Sequence, residues 1–102
     1  MTASIQNRDL QVSVEALKEF VYIQFTPKSE RGDELAREIM NSCDFKETIG
    51  NSMAVITRFR KNKFCDGAEN KVRFLIQTDS HNRDSLFEKV RTAIKPFLQN
   101  NN

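Results

Sequence analysis

Apolar and polar side chains alternate in two neighbouring runs, residues 52–60 and residues 71–78. A period of two is typical of a strand that has one buried face and one wetter face. The segment between the runs contains the turn dipeptide Asp66-Gly67 and is too short for a crossover connection. We therefore predict an antiparallel pair of strands, around which the rest of the chain is organised.

The alternation also assigns side chains to the two faces of this strand pair. In the second run the apolar residues Val72, Phe74 and Ile76 share a face, which we expect to be buried. We assign the basic residues of both runs to the opposite face, where they lie with glutamine: Arg58, Arg60, Lys71, Arg73 and Gln77.

A third strand is predicted over residues 20–26, which are rich in aromatic and β-branched residues and have Val21, Ile23 and Phe25 on one face. Pro27 ends it, because proline cannot donate to the ladder. Residues 10–14 alternate and favour a short strand followed by a turn, but Ser13 would equally cap a one-turn helix over residues 15–19. Both alternatives stay open at this point.

Two helices follow from apolar stripes at helical spacing. Ser29 or Asp33 caps the first, which runs to about Ser42 and is followed by a connection over residues 44–51. Its predicted stripe consists of Leu35, Ala36, Ile39, Met40 and Cys43. Asn82 or Asp84 opens the last helix, in which Pro96 should stop or kink the backbone. The stripe predicted there is Leu86, Phe87, Val90, Ala93, Ile94 and Phe97.

These elements predict an α+β fold in the order (β)βαββα. Helices with one apolar stripe and strands with one apolar face form a two-layer sandwich, here a ferredoxin-like one with a mainly antiparallel sheet and two helices on one face. The last strand of that arrangement is missing, and residues 10–14 are a candidate to replace it. We predict a single domain over residues 10–98, a flexible N-terminal tail over residues 1–9 and a disordered end over residues 99–102.

Charge is distributed unevenly, although the 102 residues carry a formal net charge of only +2. Residues 58–73 contain six basic and two acidic side chains, net +4, so the remainder carries −2. Local asymmetry of this kind attracts polyanions. The sequence has no apolar run of transmembrane length and no signal peptide, and Cys43 and Cys65 are interpreted as free thiols, with one disulfide as the alternative. We therefore expect a cytoplasmic protein without a membrane partner.

The face opposite the helices is the main candidate site. Aromatic rings beside arginines on an open sheet are the arrangement that single-stranded RNA readers use, with bases on the rings and phosphates on the guanidinium groups. The predicted contact residues are Tyr22, Arg58, Arg60, Lys61, Lys63, Lys71 and Arg73. The competing interpretations are a solvated face, a hairpin tip kept soluble by its charge, and an oligomer interface.

Catalytic candidates are fewer. His81 lies among caps and carboxylates, and we interpret its segment as a helix-capping loop. Cys65 lies near Lys61 and Lys63, which would lower the pKa of a thiol, but no histidine is close in sequence. The chain has no nucleotide-binding glycine motif, no hydrolase elbow and no CxxC pair, so we expect no cofactor and no metal site.

The segment from Phe20 to Phe97 resembles the CutA family of trimeric ferredoxin-like proteins in element order and apolar spacing. The similarity is greatest over residues 69–78 and in the helix up to Lys95-Pro96-Phe97. The family's Ala-Ala-Cys-Val-Asn stretch is absent, there is no tryptophan, and the closing strand is missing. The resemblance implies a ferredoxin-like fold, and we assign no membership.

The sequence thus favours a non-enzymatic binding module that uses a basic sheet face and hairpin loop to hold RNA or another single-stranded nucleic acid. The alternative is a protein-interaction or assembly domain, a homo-oligomer or a subunit of a larger complex, that uses its open sheet face or an edge strand. A small enzyme based on His81 or Cys65 is the third option.

Overall fold

The computed structural model describes residues 1–50, 53–60 and 70–99, with backbone only for residues 53–60, 70, 71 and 99. The predictions for Lys61, Lys63, Cys65 and residues 100–102 lie outside the described residues. Five strands and three helices are present in the described part of the chain. In chain order they are β1 (Thr2–Gln6), β2 (Leu10–Leu17), β3 (Phe20–Pro27), α1 (Glu30–Asn41), α2 (Cys43–Gly50), β4 (Met53–Arg60), β5 (Asn70–Gln77) and α3 (Arg83–Gln99).

The strands form one sheet in the order β1-β2-β3-β5-β4, with every neighbouring pair antiparallel. Because β5 lies between β3 and β4, the connection through α1 and α2 crosses over one strand. The predicted α+β class is confirmed, and the layers are compatible with a two-layer sandwich. The predicted order (β)βαββα is incomplete, since β1 and α2 are additional elements.

The first nine residues were predicted to be a flexible tail, and that prediction is wrong for residues 2–6. They form β1, which pairs with β2 from Thr2 opposite Glu15 to Gln6 opposite Gln11. Asn7 closes the turn, since its Oδ1 accepts hydrogen bonds from the amides of Asp9 and Leu10, both at 2.9 Å. The segment is too polar to indicate a strand alone, and β2 supplies its hydrogen-bonding partner.

The ambiguity over residues 10–19 is resolved in favour of a strand. Four side chains of β2 at a spacing of two are buried: Leu10, Val12, Val14 and Ala16. The following turn places Lys18 at a φ of 57°, in the left-handed region, before β3 begins at Phe20. The strand β3 ends at Pro27 as predicted. Residues 10–14 therefore belong to a strand next to β3, as predicted, but the strand continues to Leu17 where a turn was expected.

Ser29 rather than Asp33 caps α1, because its Oγ accepts a hydrogen bond from the Gly32 amide at 3.1 Å. At Ser42 the backbone leaves the helix with a ψ of 148°, and its Oγ accepts a hydrogen bond from the Phe45 amide at 3.3 Å. A second helix, α2, therefore begins where a connection over residues 44–51 was predicted. This break also changes the helical phase, so that Cys43 is exposed rather than part of the core.

The last helix, α3, begins at Arg83 and continues through Pro96 to Gln99. Of the two effects predicted for Pro96, a stop or a kink, the stop is wrong, and Leu98 beyond it is buried. Residue 99 therefore belongs to the helix rather than to a disordered end. The predicted stripe is confirmed: Leu86, Phe87, Val90, Ala93 and Ile94 are buried and Phe97 is half-buried.

The core lies between the helices and one face of the sheet. The predicted inward rows of β3 and β5 are buried: Val21, Ile23, Phe25, Val72, Phe74 and Ile76. Phe25, Phe45 and Phe74 meet in three edge-to-face contacts with ring centroids 5.4 to 5.9 Å apart. Because Phe45 belongs to α2, this cluster fixes the second helix against the centre of the sheet.

Candidate nucleic-acid interface

We call the sheet surface opposite the helices the open face; its described members at the centre are Phe20, Tyr22, Gln24, Arg73 and Leu75. They alternate with the buried residues of β3 and β5. Tyr22 keeps 39% of its surface exposed although it lies on the central strand. The rings of Phe20 and Tyr22 are adjacent, with centroids 6.0 Å apart and planes inclined by 45°. The strand alternation thus presents two aromatic rings on one side.

Arg73 contributes a cation to this face. It lies opposite Gln24 in the ladder between β3 and β5, and its Nε donates a hydrogen bond to Gln24 Oε1. Gln24 Nε2 in turn donates to Thr26 Oγ1 at 3.2 Å. These contacts hold the exposed guanidinium group along the sheet. Tyr22 is a diagonal neighbour of Arg73, since it lies opposite Leu75, and such neighbours have Cα atoms about 7–8 Å apart.

The register of β4 corrects the predicted positions of Arg58 and Arg60. Arg58 lies opposite Val72 and Arg60 opposite Asn70, whereas Thr57 lies opposite Arg73. Residues directly opposite each other in an antiparallel ladder share a face. By their register, Arg58 and Arg60 therefore belong to the same face of the sheet as buried Val72. The prediction that they share the open face with Arg73 is wrong. Lys71 keeps its predicted row, because it alternates with Val72 along β5.

Apolar residues that were not among the predicted contact residues lie at one end of the open face. Leu17 is 49% exposed and lies opposite Phe20, and Leu75 lies opposite Tyr22 and is half-buried. Val55 continues the row of Leu75 at its register position in β4. The strand alternation of residues 10–17 would have revealed Leu17, had the strand been assigned there.

An acidic residue also lies on the open face. Glu15 is exposed and occupies the position opposite Tyr22 in the ladder between β2 and β3. A polyanion lying over Tyr22 would therefore be repelled from the β2 side and attracted toward β5. The face is consequently polarised across the sheet, from Glu15 on β2 to Arg73 on β5.

The segment around His81 is a capping turn, as predicted. Asp79 Oδ1 accepts a hydrogen bond from the Asn82 amide at 2.8 Å, and its backbone carbonyl accepts one from the Arg83 amide at 3.0 Å. The hydrogen bond from the Asn82 amide is the main reason why the pKa of Asp79 lies below its ordinary value, with a smaller contribution from the charge of His81. His81 itself is exposed. The described side chains contain no group of three or more histidine, cysteine, aspartate or glutamate residues arranged to hold a metal ion.

A groove of about 890 Å³ lies between α2 and α3. Asp44, Glu47 and Glu88 contribute carboxylates to its lining, and Lys89 contributes an amine. Its excess of acidic groups repels phosphate.

Comparison of the chain with protein-family models, with curated protein sequences and with solved structures gives no match. None of the helices in the described part of the chain is long and apolar enough to cross a membrane.

Proposed function

We propose that this chain is a non-enzymatic binding module that holds single-stranded RNA against its open face. The observation that carries the proposal is the exposed Tyr22 ring next to Phe20 on the central strand, with the Arg73 guanidinium group on the neighbouring strand. Unpaired bases stack on such rings, and each stacked base contributes about 1–3 kcal/mol. A guanidinium group beside the ring is placed to meet the phosphate that follows the base.

The distribution of charge supports the same orientation. Residues 30–50, which include α1 and α2, carry six acidic and three basic side chains, whereas residues 58–73 carry net +4. The first two helices therefore repel a polyanion, and the region around β4 and β5 attracts it. In the proposed complex, Lys71 and Arg73 extend the contact along β5. Lys61 and Lys63, in the segment that connects β4 to β5, add phosphate contacts, whereas Arg58 and Arg60 are excluded because they occupy the row of buried Val72.

We also propose that the sheet is a ferredoxin-like one with its closing strand supplied from the N-terminal side. The order β2-β3-β5-β4 supports this, because β2 occupies the place beside β3 that the last strand takes in that fold. The exposed aromatic pair would then lie on one of the two central strands, where sheet-based RNA readers also carry stacking rings.

The proposal predicts a specific salt dependence. Replacing Lys61, Lys63 and Lys71 with glutamine should weaken RNA binding at low salt and reduce the slope of log K against log salt by about 2, since each lost phosphate contact removes roughly 0.7 for a single strand. Tyr22→Ala should instead cost about 1–3 kcal/mol of binding free energy with little change in slope, because stacking releases no counterions. The measurement is a salt titration of a fluorescent single-stranded RNA.

Two control proteins make this titration specific. Replacing Lys46, Lys89 and Lys95 with glutamine removes the same charge from exposed positions of the helical layer and should leave the slope nearly unchanged. Tyr22→Phe keeps the ring and should retain the affinity. If the wild-type protein does not bind at about 50 mM salt, or if both triple variants flatten the slope equally, the proposed interface is wrong.

A second candidate function is protein contact through the same face. The exposed area of Leu17 and Tyr22, next to half-buried Leu75, favours it because apolar side chains grouped on one surface mark contact sites. Leu17→Ser separates the two candidates. This substitution removes apolar area but replaces neither a cationic nor an aromatic residue, so RNA affinity should be retained. A protein contact at this end of the sheet should be lost.

A further inference from the structure

The first strand leaves one edge of the sheet without a partner among the described residues. Met1 and Ala16 exchange both backbone hydrogen bonds, at 2.8 and 3.1 Å, and the Asn7 amide donates to the Leu10 carbonyl at 3.0 Å. Hydrogen-bonded positions alternate along an antiparallel strand, so Ala3 and Ile5 also direct their amides and carbonyls toward β2. Thr2, Ser4 and Gln6 therefore direct theirs outward.

We propose that this edge is a self-association site, at which β1 pairs with β1 of a second copy to form one continuous antiparallel sheet. The outward positions are spaced symmetrically about Ser4. A two-fold axis through Ser4 places each Ser4 opposite the Ser4 of the other copy, and each Thr2 opposite Gln6. All three pairs are then hydrogen-bonded pairs, so the outward amides and carbonyls of both strands are satisfied in one register.

The side chains of β1 suit the same register. Ala3 and Ile5 are only half-buried on the helical side, and the two-fold places Ala3 of one copy opposite Ile5 of the other. Each copy thereby covers the apolar pair that the other leaves partly exposed. On the other side of the strand, Thr2, Ser4 and Gln6 are neutral, so no charge meets its own copy across the axis.

This strand also has none of the devices that normally protect a sheet edge. Residues 2–6 contain no lysine, no proline and no other charged side chain. An exposed edge of this kind is a template for pairing with another strand. The symmetric arrangement of outward groups selects a second copy as the occupant, because an isologous contact closes after two chains and leaves no further edge of the same kind.

The proposed pairing of β1 does not depend on RNA binding, but it determines how the open faces of the two copies are arranged. In the paired sheet the open faces of both copies lie on the same side. Five strand spacings, about 24 Å, separate one β3 from the other. Because Tyr22 is level with Thr2, which lies opposite Gln6 of the other copy, the two Tyr22 residues are also offset by four residues along the strands and are about 27 Å apart. Two stacking platforms on one surface would bind a longer strand more tightly than either alone.

The test combines solution mass with amide exchange. Sedimentation at protein concentrations up to roughly 200 µM should show the wild-type chain approaching twice its mass of 11.8 kDa, since a short contact supports a weak dimer. Ser4→Pro removes an outward amide, together with the hydrogen bond from Gln11 Nε2 to Ser4 Oγ at 3.3 Å, and should give a monomer with unchanged secondary structure. Gln11→Ala is the matched control, because it removes the same side-chain hydrogen bond and leaves the outward amides of β1 in place, so it should remain dimeric.

Hydrogen exchange identifies the contact itself. The amides of Ser4 and Gln6 should be protected in the wild-type protein at high concentration and should exchange rapidly on dilution, while the amide of Ile5 stays protected at both concentrations. A monomer at every concentration would overturn the proposal. So would a dimer that survives Ser4→Pro, or one in which the amides of Ser4 and Gln6 exchange freely.

Discussion

Phe74→Ala is expected to lower the free energy of unfolding by about 3–5 kcal/mol, the range for truncating a buried phenylalanine. Phe74 is 4% exposed and contacts the rings of Phe25 and Phe45, at centroid distances of 5.9 and 5.4 Å. The substitution removes the ring that joins β5 to α2, and neighbours held on two different elements, β3 and α2, cannot collapse fully into the space. Chemical denaturation with linear extrapolation measures the loss.

Phe20→Ala is the matched control. The same atoms are removed, but Phe20 is half-buried on the open face, so a much smaller loss is expected. A loss below about 1 kcal/mol for Phe74→Ala, as at an ordinary surface site, would contradict the assignment of the buried face.

Gly32→Ala is expected to lower the free energy of unfolding by about 1–3 kcal/mol or more, the usual cost of overpacking. A Cβ atom at this position would lie 1.8 Å from the carbonyl oxygen of Asp9 and 2.8 Å from its carbonyl carbon. That carbonyl cannot move freely, because it accepts a hydrogen bond from the Lys28 amide at 2.8 Å. The Asp9 side chain is held too, by the Ser29 hydroxyl at 2.9 Å. The added methyl group must therefore separate α1 from the turn between β1 and β2.

Gly50→Ala gives the comparison within the same fold. Nothing lies within 4 Å of a Cβ atom built at Gly50, which ends α2. The same substitution there should be neutral or slightly stabilising, because alanine is the better helix former. Thermal or chemical unfolding of both variants measures the difference. Equal losses of stability at Gly32 and Gly50 would contradict the close approach of the Asp9 carbonyl to Gly32.

Much of the fold follows from local patterns in the sequence. The faces of β3 and β5 were predicted because each has an uninterrupted alternation, and α1 because Ser29 caps a clear apolar stripe. The strand β1 was missed because residues 2–6 have little apolar character and depend on β2 for their pairing. The helix α2 was missed because Phe45 is its only fully buried side chain. A single buried residue leaves no periodic signal.

The candidate site was predictable only in part, for a reason of register. Alternation shows that Arg58 and Arg60 share a face with Ala54 and Ile56, but both faces of that run contain apolar residues, so it does not say which face is inward. The pairing of β4 with β5 decides this, since a shift of one residue moves every side chain to the other face. Tyr22 and Arg73 were assigned correctly to the open face because their own strands have unambiguous buried rows.

The most direct test of the central claim is an NMR titration of the ¹⁵N-labelled protein with a short single-stranded RNA at about 50 mM salt. The account predicts that amide shifts change at Tyr22, Gln24 and Arg73, and that those of α1 stay in place. Shift changes confined to the helical layer or to residues 61–69, or no shift changes at all, would contradict the claim that the open face holds RNA.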